Sequence, residues 1–326
     1  MKVFIYGEYA DWQKKVFWGL LDDGIEIEWG VEVPEKSDYE VLIWGVPEEK
    51  FVREAARLKK VVVPYAGIPQ KTRLLLGKYP GIELHNLHHN AIPTAEMAFT
   101  LMLSAAKSIV IADNHLRKGD WTPRHEGLPN RLLYGKTALI LGLGEVGKHL
   151  GRMCIGMGMK VLATRRNLTA NITENGIDIF GRHELEKLLP QADYLLVTLP
   201  LTQETEGLLD RRSLELLPEG TVIVNIGRGT LIAEKALFEL LQSGHIAAAG
   251  LDVWYNYPQS KEARTFTFPG NYPFQELENV VMSPHRGGAF ANYDTEQLRV
   301  EHLANLLNGY FKTGTMRNLT DLKAGY

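Results

Sequence analysis

A glycine-rich turn between an apolar run and a helical stretch is the feature that most constrains the fold of this chain. In TALILGLGEVGKHLGRM, Gly142, Gly144 and Gly147 follow the spacing G-x-G-x-x-G. Glycines at these positions allow a tight turn, close approach of the backbone to a pyrophosphate and close helix–strand packing, and the helix N-terminus attracts an anion. We predict a dinucleotide site at this turn, the alternative being a plain strand–helix turn. The residues assigned to it are Gly142, Leu143, Gly144, Glu145, Val146 and Gly147.

Short apolar runs alternate with helical patterns through most of the chain. The runs are continuously apolar rather than alternating, which is typical of parallel strands covered on both faces. Strand–helix alternation of this kind indicates doubly wound α/β domains, and a length of 326 residues suggests two of them. The strand-like runs are KVFIY, VLIW, VVVP, TALILG, KVLAT, DYLLVTLP, TVIVNIG, AAAGLDV and NVVMSP.

Helical patterns mark the rest of the chain and a boundary near Asn90. The stretch EEKFVREAARL has apolar residues at helical spacing, and another amphipathic helix is predicted from Asn292 to Phe311. The segment from Thr94 to Lys118 is predicted to form two successive helices. Its first part is so apolar that it must bury more than one face, and we therefore expect it to lie in an interior or in the interface of a homodimer.

Charge and cysteine content exclude several classes of partner. The formal net charge is −3, from 36 basic and 39 acidic residues, which favours neither nucleic acid nor an anionic membrane. Cys154 is the single cysteine, so an intrachain disulfide and a cysteine-cluster metal site are impossible. The most apolar segment, from Met97 to Ala112, is interrupted by Lys107 and is shorter than the roughly 20 residues of a membrane helix. With no signal-peptide core before Gly7, we expect a soluble cytoplasmic protein.

Two adjacent arginines stand at the strand end whose residues usually discriminate between NAD and NADP. The run VLATRRN ends a predicted strand with Thr164, Arg165 and Arg166. An acid at this strand end usually holds the ribose hydroxyls of NAD, but the next acid here is Glu174. Arginine binds a 2′-phosphate through paired, charge-assisted hydrogen bonds. We predict NADP as the cofactor, with NAD as the alternative. The alternative for the arginines is that both are solvated at a loop edge and bind no phosphate.

Further motifs in the second half resemble those of a known family. VTLPLTQETEGLLD, VNIGRGTLIAEKAL, AAAGLDVW and MSPHRGG occur in order after the glycine turn. Together they resemble the D-isomer-specific 2-hydroxyacid dehydrogenases, which include glyoxylate/hydroxypyruvate reductases and phosphoglycerate, formate and phosphite dehydrogenases. The resemblance implies two doubly wound parallel-sheet domains. Residues 90–286 would form a Rossmann dinucleotide-binding domain, and residues 1–89 with 287–326 a flavodoxin-like substrate-binding domain.

The resemblance also assigns roles to individual residues. Arg228 matches the arginine that binds the substrate's carboxylate and keto oxygen, and His285 matches the acid–base histidine that protonates the developing alkoxide. Asp252 matches the acid that orients the nicotinamide carboxamide. The other cofactor contacts implied are Thr94, Leu199, Pro200, Ile226 and Gly227. The substrate contacts implied are Tyr65, Ala66 and Gly67, whose loop offers backbone N–H groups to a carboxylate, and Asn90, although Asn90 and Thr94 could instead cap the following helix.

One position departs from the family pattern. A glutamate usually follows the GLDV aspartate by five residues and keeps the catalytic histidine protonated, but this chain has Tyr257 there, and formate dehydrogenases have a glutamine. Three interpretations stay open: the phenol orients His285 by a neutral hydrogen bond, a loop acid such as Glu262 replaces the glutamate, or the substrate needs less acid help. Arg286 is a second departure, since a small or apolar residue usually follows the histidine.

The run HNLHHN, from His85 to Asn90, places three histidines within five residues. It contains no carboxylate or cysteine, and a strand or loop would splay the side chains, so we predict no metal site. Partly buried histidines are the favoured interpretation, with His88 or His89 able to touch substrate.

The sequence therefore predicts an NADP-dependent enzyme that moves a hydride between the nicotinamide and C2 of a small 2-oxo acid. Glyoxylate and hydroxypyruvate are the expected substrates, with a D-2-hydroxy acid as product. Two alternatives remain: a formate-like dehydrogenase, suggested by Tyr257, and a catalytically weak NAD(P)-binding regulatory protein. A homodimer is expected, with no nucleic acid and no membrane as partner.

Overall fold

The computed structural model describes residues 1–32, 34, 37–288 and 292–322. It divides into two compact units, Met1–Asn90 with Ala289–Tyr326, and Ala91–Gly288. Each unit is built around its own sheet, as expected for continuously apolar runs separated by helices.

The first unit contains a five-stranded sheet in the described residues, in the order β2-β1-β3-β4-β5. All its neighbouring strands are parallel, and Val3 lies opposite Ile27 on one side and Val41 on the other. This is the flavodoxin-like strand order, so the predicted fold of this part is confirmed. The strands are β1 (Lys2–Tyr6), β2 (Glu26–Gly30), β3 (Val41–Ile43), β4 (Lys60–Val63) and β5 (Glu83–Asn86).

Helices cover both faces of this sheet. The C-terminal helix buries Leu303 and Leu307 against the apolar strands; it is capped by the Asn292 side chain and ends at Gly314, whose φ is 71°. The helix predicted over EEKFVREAARL is shorter than expected, because the chain leaves it in tight turns toward β4. The helices are α1 (Asp11–Leu20), α2 (Glu49–Arg53), α3 (Gln70–Leu76) and, at the end of the chain, α11 (Tyr293–Thr313).

The second unit contains an eight-stranded sheet in the described residues, in the order β13-β12-β11-β10-β6-β7-β9-β8. Six of these strands, β9-β7-β6-β10-β11-β12, follow the order of a Rossmann fold, so this part of the prediction is also confirmed. Only β8 is antiparallel to its neighbour, which departs from the all-parallel expectation. The strands are β6 (Thr137–Leu141), β7 (Lys160–Arg165), β8 (Ile172–Glu174), β9 (Ile177–Gly181), β10 (Tyr194–Val197), β11 (Thr221–Asn225), β12 (Ile246–Leu251) and β13 (Val280–Met282).

Seven α-helices accompany this sheet in the described residues. The apolar segment forms two helices, as predicted, and the break between them contains Ser108 at a φ of 49°. The first of the two lies directly on β12, since a Cβ built on Gly250 would be 2.8 Å from the Cβ of Leu101. The helices are α4 (Ala91–Ala106), α5 (Ile109–Leu116), α6 (Thr122–His125), α7 (Glu145–Gly156), α8 (Leu185–Leu188), α9 (Arg211–Glu215) and α10 (Glu234–Gln242).

The α4–α5 pair is also the most apolar stretch of helix. Among the described residues, no single helix is long and apolar enough to cross a membrane. Taken together, α4 and α5 reach that length and composition, across a bend of 64°. Seven residues of α4 are buried within the structure.

The order of the second sheet reverses between β6 and β10. From β6 the chain continues outward through β7 and β9, and it returns to the other side of β6 as β10. Ligands of doubly wound sheets bind at such a reversal, outside the carboxyl ends of the strands. The glycine turn follows β6, so the topology brings it to this position.

Candidate active site

The glycine turn has the space that a pyrophosphate requires. A Cβ on Gly142, whose φ is 97°, would lie 2.9 Å from Leu199 Cδ2, and one on Gly147 would lie 2.4 Å from the Gly142 carbonyl oxygen. At Gly144, directly before α7, a Cβ would meet no described atom within 4 Å. Two glycines are therefore required by packing, whereas the middle one leaves open space before a helix N-terminus. This arrangement fits a dinucleotide.

The neighbouring strand ends hold the turn in shape. The hydroxyl of Thr164, which is buried, accepts a hydrogen bond from the Gly142 N–H at 3.4 Å, and the Thr164 carbonyl accepts one from the Leu143 N–H at 3.0 Å. Directly after β10, Thr198 Oγ1 donates to the Gly142 carbonyl at 2.6 Å. Thr164 and the buried side chain of Leu143 therefore support the turn from the protein side, while Pro200, in the loop after β10, is exposed.

The two arginines lie at the carboxyl end of β7, and the fold brings an acid to the first of them. Arg165 is partly exposed and Arg166 is exposed. Arg165 Nη2 donates to Glu174 Oε2 at 3.1 Å. Glu174 is the last residue of β8, an edge strand that pairs antiparallel with β9, so this contact joins residues of two strands that are not neighbours in the sheet. The sequence placed Glu174 only as the next acid along the chain and did not reveal this contact.

The NIGRG segment after β11 is fixed through a buried asparagine. Asn225 Oδ1 accepts from the Gly227 N–H at 3.0 Å, and Asn225 Nδ2 donates to the Arg228 carbonyl at 2.9 Å. Cβ atoms on Gly227 and Gly229 would lie 2.5 and 2.3 Å from the carbonyl oxygens of Leu199 and Trp254, respectively. The tight backbone leaves the Arg228 side chain exposed, with Nη1 donating to the Gly227 carbonyl at 2.6 Å. Ile226, by contrast, is buried.

A buried carboxylate shapes the loop that carries His285. Asp252 is 1% exposed and accepts hydrogen bonds from the Ser283 hydroxyl and from the N–H groups of Arg286 and Gly287, the latter two at 2.8 Å. His285 has a φ of 56°, a left-handed conformation that is uncommon for residues other than glycine and persists where surrounding contacts hold it. The contacts of Asp252 on both sides of His285 supply that constraint.

The electrostatic surroundings of His285 lower its pKa. Burial is the largest cause, the Arg228 charge acts in the same direction, and the Asp252 carboxylate opposes both. The Tyr257 ring centroid lies 5.6 Å from that of the imidazole, and the charges of Arg228 and Asp252 also act on Tyr257. The structure therefore brings Arg228, Asp252, Tyr257 and His285 together within one unit.

The contacts of Tyr257 differ from those of an acid partner. Its hydroxyl accepts a hydrogen bond from the Trp254 N–H at 3.1 Å, and its observed contact with His285 is between the two rings. Glu262 is exposed, and its carboxylate is stabilised by its own backbone and by Ser260, which lower its pKa. The carboxylate that opposes the lowering of the His285 pKa is Asp252.

Thr94, in the first turn of α4, also reaches this loop. A Cβ built on Gly287 would lie 3.5 Å from Thr94 Cγ2 and 2.8 Å from Asp252 Oδ2. The chain positions of these residues are far apart, and helix packing on the sheet brings them together. Asn90 directly precedes α4 and is the last residue of the first unit before the chain leaves it.

Within the first unit, the segment from Tyr65 to Gly67 follows β4. Asn86, at the end of β5, donates from Nδ2 to the Ala66 carbonyl at 2.7 Å. A Cβ on Gly45 would lie 2.2 Å from the Tyr65 hydroxyl, so the tyrosine lies directly against the loop after β3. Gly67 is exposed. These contacts fix the loop that the sequence assigned to substrate.

The histidine run divides between separate environments. His85 is buried, with Nδ1 hydrogen-bonded to the Arg317 carbonyl at 2.8 Å and Nε2 lying 3.2 Å from Glu83 Oε2. Burial, with nearby Arg299, His302 and His88, lowers the pKa of His89 to about 4. Across residues 1–32, 34, 37–288 and 292–322, no group of three or more His, Cys, Asp or Glu side chains is arranged to hold a metal ion.

Comparison with known proteins identifies a family whose sequences this chain matches. Residues 99–287 match the sequence profile described as "D-isomer specific 2-hydroxyacid dehydrogenase, NAD binding domain". A glyoxylate reductase of Korarchaeum cryptofilum is 32% identical over 87% of this chain and 82% of its own length. A D-3-phosphoglycerate dehydrogenase of Archaeoglobus fulgidus is 30% identical over 86% of this chain, which spans about half (54%) of that protein.

Among solved structures, the fold is similar to that of a D-isomer specific 2-hydroxyacid dehydrogenase from Xanthobacter autotrophicus Py2, crystallised with NADPH and MES. The TM-score is 0.77 at 23% identity, covering 99% of each chain. At this identity the likeness concerns the fold alone.

Proposed function

Since the chain belongs to the D-isomer specific 2-hydroxyacid dehydrogenases, which are NAD(P)-dependent enzymes, we propose that it reduces glyoxylate, hydroxypyruvate or a 2-oxo acid of similar size with NADPH. The observation that carries this proposal is the pairing of Arg228 with His285. An exposed guanidinium follows β11, and an imidazole on which its charge acts follows β13. A fixed cation beside a proton donor is what reduction of a 2-oxo acid requires.

In this proposal each group has a separate task. The planar guanidinium of Arg228 holds the substrate's carboxylate and keto oxygen. His285 gives its proton to that oxygen as negative charge develops there, while a bound nicotinamide supplies the hydride. Asp252 keeps the His285 loop in its left-handed conformation and opposes the fall in the pKa of the imidazole.

The remaining assignments from the sequence stand as part of the same proposal. The first unit supplies substrate contacts from Tyr65, Ala66 and Gly67 and from Asn90, and the second unit supplies the cofactor site. Tyr257 packs on His285 in place of the family's acid. Residues that hold the cofactor are Thr94, Gly142, Leu143, Gly144, Glu145, Val146, Gly147, Thr164, Arg165, Arg166, Leu199, Pro200, Ile226, Gly227 and Asp252.

The preference for NADPH rests on the end of β7. Arg165 and Arg166 stand there with no acid on the strand itself, and the acid that reaches Arg165, Glu174, makes an exposed contact. Exposed ion pairs are weak, so a phosphate dianion can compete for the guanidinium. NADPH was present in the Xanthobacter structure, which is consistent with this cofactor.

A parallel assay of cofactors and substrates tests the proposal. Glyoxylate, hydroxypyruvate and a bulky 2-oxo acid are each mixed with NADPH or NADH, and formate is mixed with the oxidised cofactors. We expect NADPH oxidation with the two small acids. Cofactor binding without turnover of any 2-oxo acid would point instead to a regulatory protein, and cofactor reduction by formate to a formate-like dehydrogenase.

A further inference from the structure

A third arginine lies at the same edge of the sheet as Arg165. In the parallel pairing of β7 with β9, Arg165 lies opposite Gly181, and Arg182 is the next residue. A Cβ built on Gly181 would lie 3.0 Å from the Leu168 carbonyl oxygen, so the loop after Arg166 passes directly beside it. Arg182 is therefore adjacent to the two arginines that the sequence singled out, although 16 positions separate it from Arg166 along the chain.

The ion pair of Arg182 extends across the nucleotide end of the sheet. Its Nη2 lies 2.8 Å from Oε2 of Glu204, which belongs to the loop after β10. In the order β10-β6-β7-β9, three strand spacings separate these two loops, a distance of about 14 Å at the strands. The pair therefore spans the carboxyl ends of β6 and β7, where the glycine turn and Arg165 lie.

At this edge of the sheet, each of two arginines forms an ion pair with an exposed glutamate. Arg165 pairs with Glu174 and Arg182 with Glu204, and the two glutamate side chains are 52% and 59% exposed. Ion pairs made by such exposed carboxylates contribute little to stability, so another anion can readily replace the carboxylate. Phosphate is a stronger partner than carboxylate for a guanidinium fork, since it carries more charge and three acceptor oxygens.

We propose that Arg182 is a further specificity-determining residue, which binds the 2′-phosphate of the cofactor's adenosine ribose together with Arg165. Glu174 and Glu204 keep the two guanidinium groups in place until that phosphate replaces their carboxylates. The inference rests on the proposed preference for NADPH and adds to it a residue from a different strand.

The test measures binding rather than turnover, with 2′,5′-ADP and 5′-AMP as probes that differ in the 2′-phosphate. The dissociation constants of 2′,5′-ADP and 5′-AMP are determined by calorimetry. Those of NADPH and NADH are determined from the fluorescence of the nicotinamide. Arg182→Ala should weaken 2′,5′-ADP and NADPH by about tenfold or more, as expected for loss of a charged hydrogen bond. It should leave 5′-AMP and NADH within about twofold.

Two further variants make the result specific. Glu204→Gln, which removes the competing carboxylate, should tighten 2′,5′-ADP without changing 5′-AMP. Arg212→Ala is the matched control, since Arg212 is an exposed arginine of the same unit that pairs with Glu186 at 3.4 Å; it should change neither probe.

The outcomes separate this inference from the proposed function. Loss of 2′,5′-ADP affinity in Arg165→Ala but not in Arg182→Ala would overturn the role of Arg182 and leave the NADPH preference intact. Equal losses for both probes in Arg182→Ala would also overturn it. If the wild-type protein binds 5′-AMP and 2′,5′-ADP equally well, the NADPH preference itself fails.

Discussion

His285 carries out its proposed role beside a phenol rather than beside a carboxylate. Its ring packs against Tyr257, and the acid that acts on it, Asp252, also accepts two backbone hydrogen bonds. Burial and the charge of Arg228 therefore prevail, and the pKa of His285 lies below its ordinary value. Reduction requires the protonated imidazole, so activity should fall as the pH rises through this lowered pKa.

Replacing Tyr257 with glutamate should reverse that effect. A carboxylate within about 4–6 Å favours the charged imidazole and raises its pKa by about 1–3 units. In Tyr257→Glu, the fall of kcat/KM for 2-oxo acid reduction should therefore move to higher pH. The measurement is the pH profile of kcat/KM from below pH 5 to above pH 8.

Tyr257→Phe is the matched control for this change. It removes the hydroxyl bonded to the Trp254 N–H but introduces no charge, so its pH profile should follow that of the wild type. Identical profiles for Tyr257→Glu and the wild type, in proteins that unfold at similar temperatures, would mean that this position does not control the protonation of His285.

The sequence identifies some residues of the site and misses others for a physical reason. Arg228 and His285 stand in short motifs, so their positions could be predicted from the chain. The contacts of Ser283 and Glu174 were missed, because their partners lie on, or directly after, other strands, and Asn225 was missed although its bonds to Gly227 and Arg228 are local. A polar residue at a strand end is common, and no local pattern distinguishes one that holds a loop from one that faces solvent.

At the scale of elements, the glycine turn must both pack closely and leave space for the cofactor, and substitutions at different glycines can separate these two requirements. A Cβ at Gly147 would press on the Gly142 carbonyl, whereas one at Gly144 would enter open space. Gly147→Ala should lower the free energy of unfolding by about 1–3 kcal/mol, the usual cost of overpacking. Gly144→Ala should unfold like the wild type but weaken NADPH and NADH to a similar extent. Chemical unfolding and cofactor titration measure the two effects.

The opposite pattern would contradict this account of the turn. If Gly147→Ala kept full stability, the close contact between helix and turn could relax at no cost. If Gly144→Ala bound both cofactors as tightly as the wild type, the open space before α7 would not be where the cofactor's phosphates approach the backbone.

Strands with continuous apolar runs were predictable, and strands without them were not. The nine runs identified from the sequence coincide with strands of the two sheets. The edge strand β2 carries alternating acidic residues, and β8 has three exposed residues, so neither has a continuous apolar run. The buried strand β5 has the sequence ELHN, whose polar residues His85 and Asn86 find partners in Arg317 and Ala66. Partners so distant along the chain cannot be recognised locally.

At the scale of the whole molecule, we expect the second unit to form the interface of a homodimer. All eight residues of α5 are at least partly exposed. Ile109, Val110, Leu116 and nearby Trp121 are each 44–60% exposed. Several large apolar side chains exposed together on one segment are typical of a protein–protein contact.

Charged residues on α5 should therefore disrupt assembly. The double variant Ile109→Glu, Val110→Glu should shift the protein from dimer to monomer in light scattering coupled to size-exclusion chromatography. Leu74→Glu is the control, because Leu74 is 67% exposed on α3 in the other unit. A wild-type protein that is monomeric at micromolar concentration, or a double variant that stays dimeric, would exclude this interface.

The most direct test of the account is the turnover of His285→Asn with glyoxylate and NADPH. Asparagine tolerates the left-handed backbone of this position, so the loop is preserved, but it cannot act as an acid. We predict that kcat falls by about 10²–10⁴-fold while the dissociation constant of NADPH stays unchanged. The control His125→Ala, at an exposed histidine of α6, should keep full activity. Turnover by His285→Asn close to that of the wild type would contradict the account, since the proton would then come from another group.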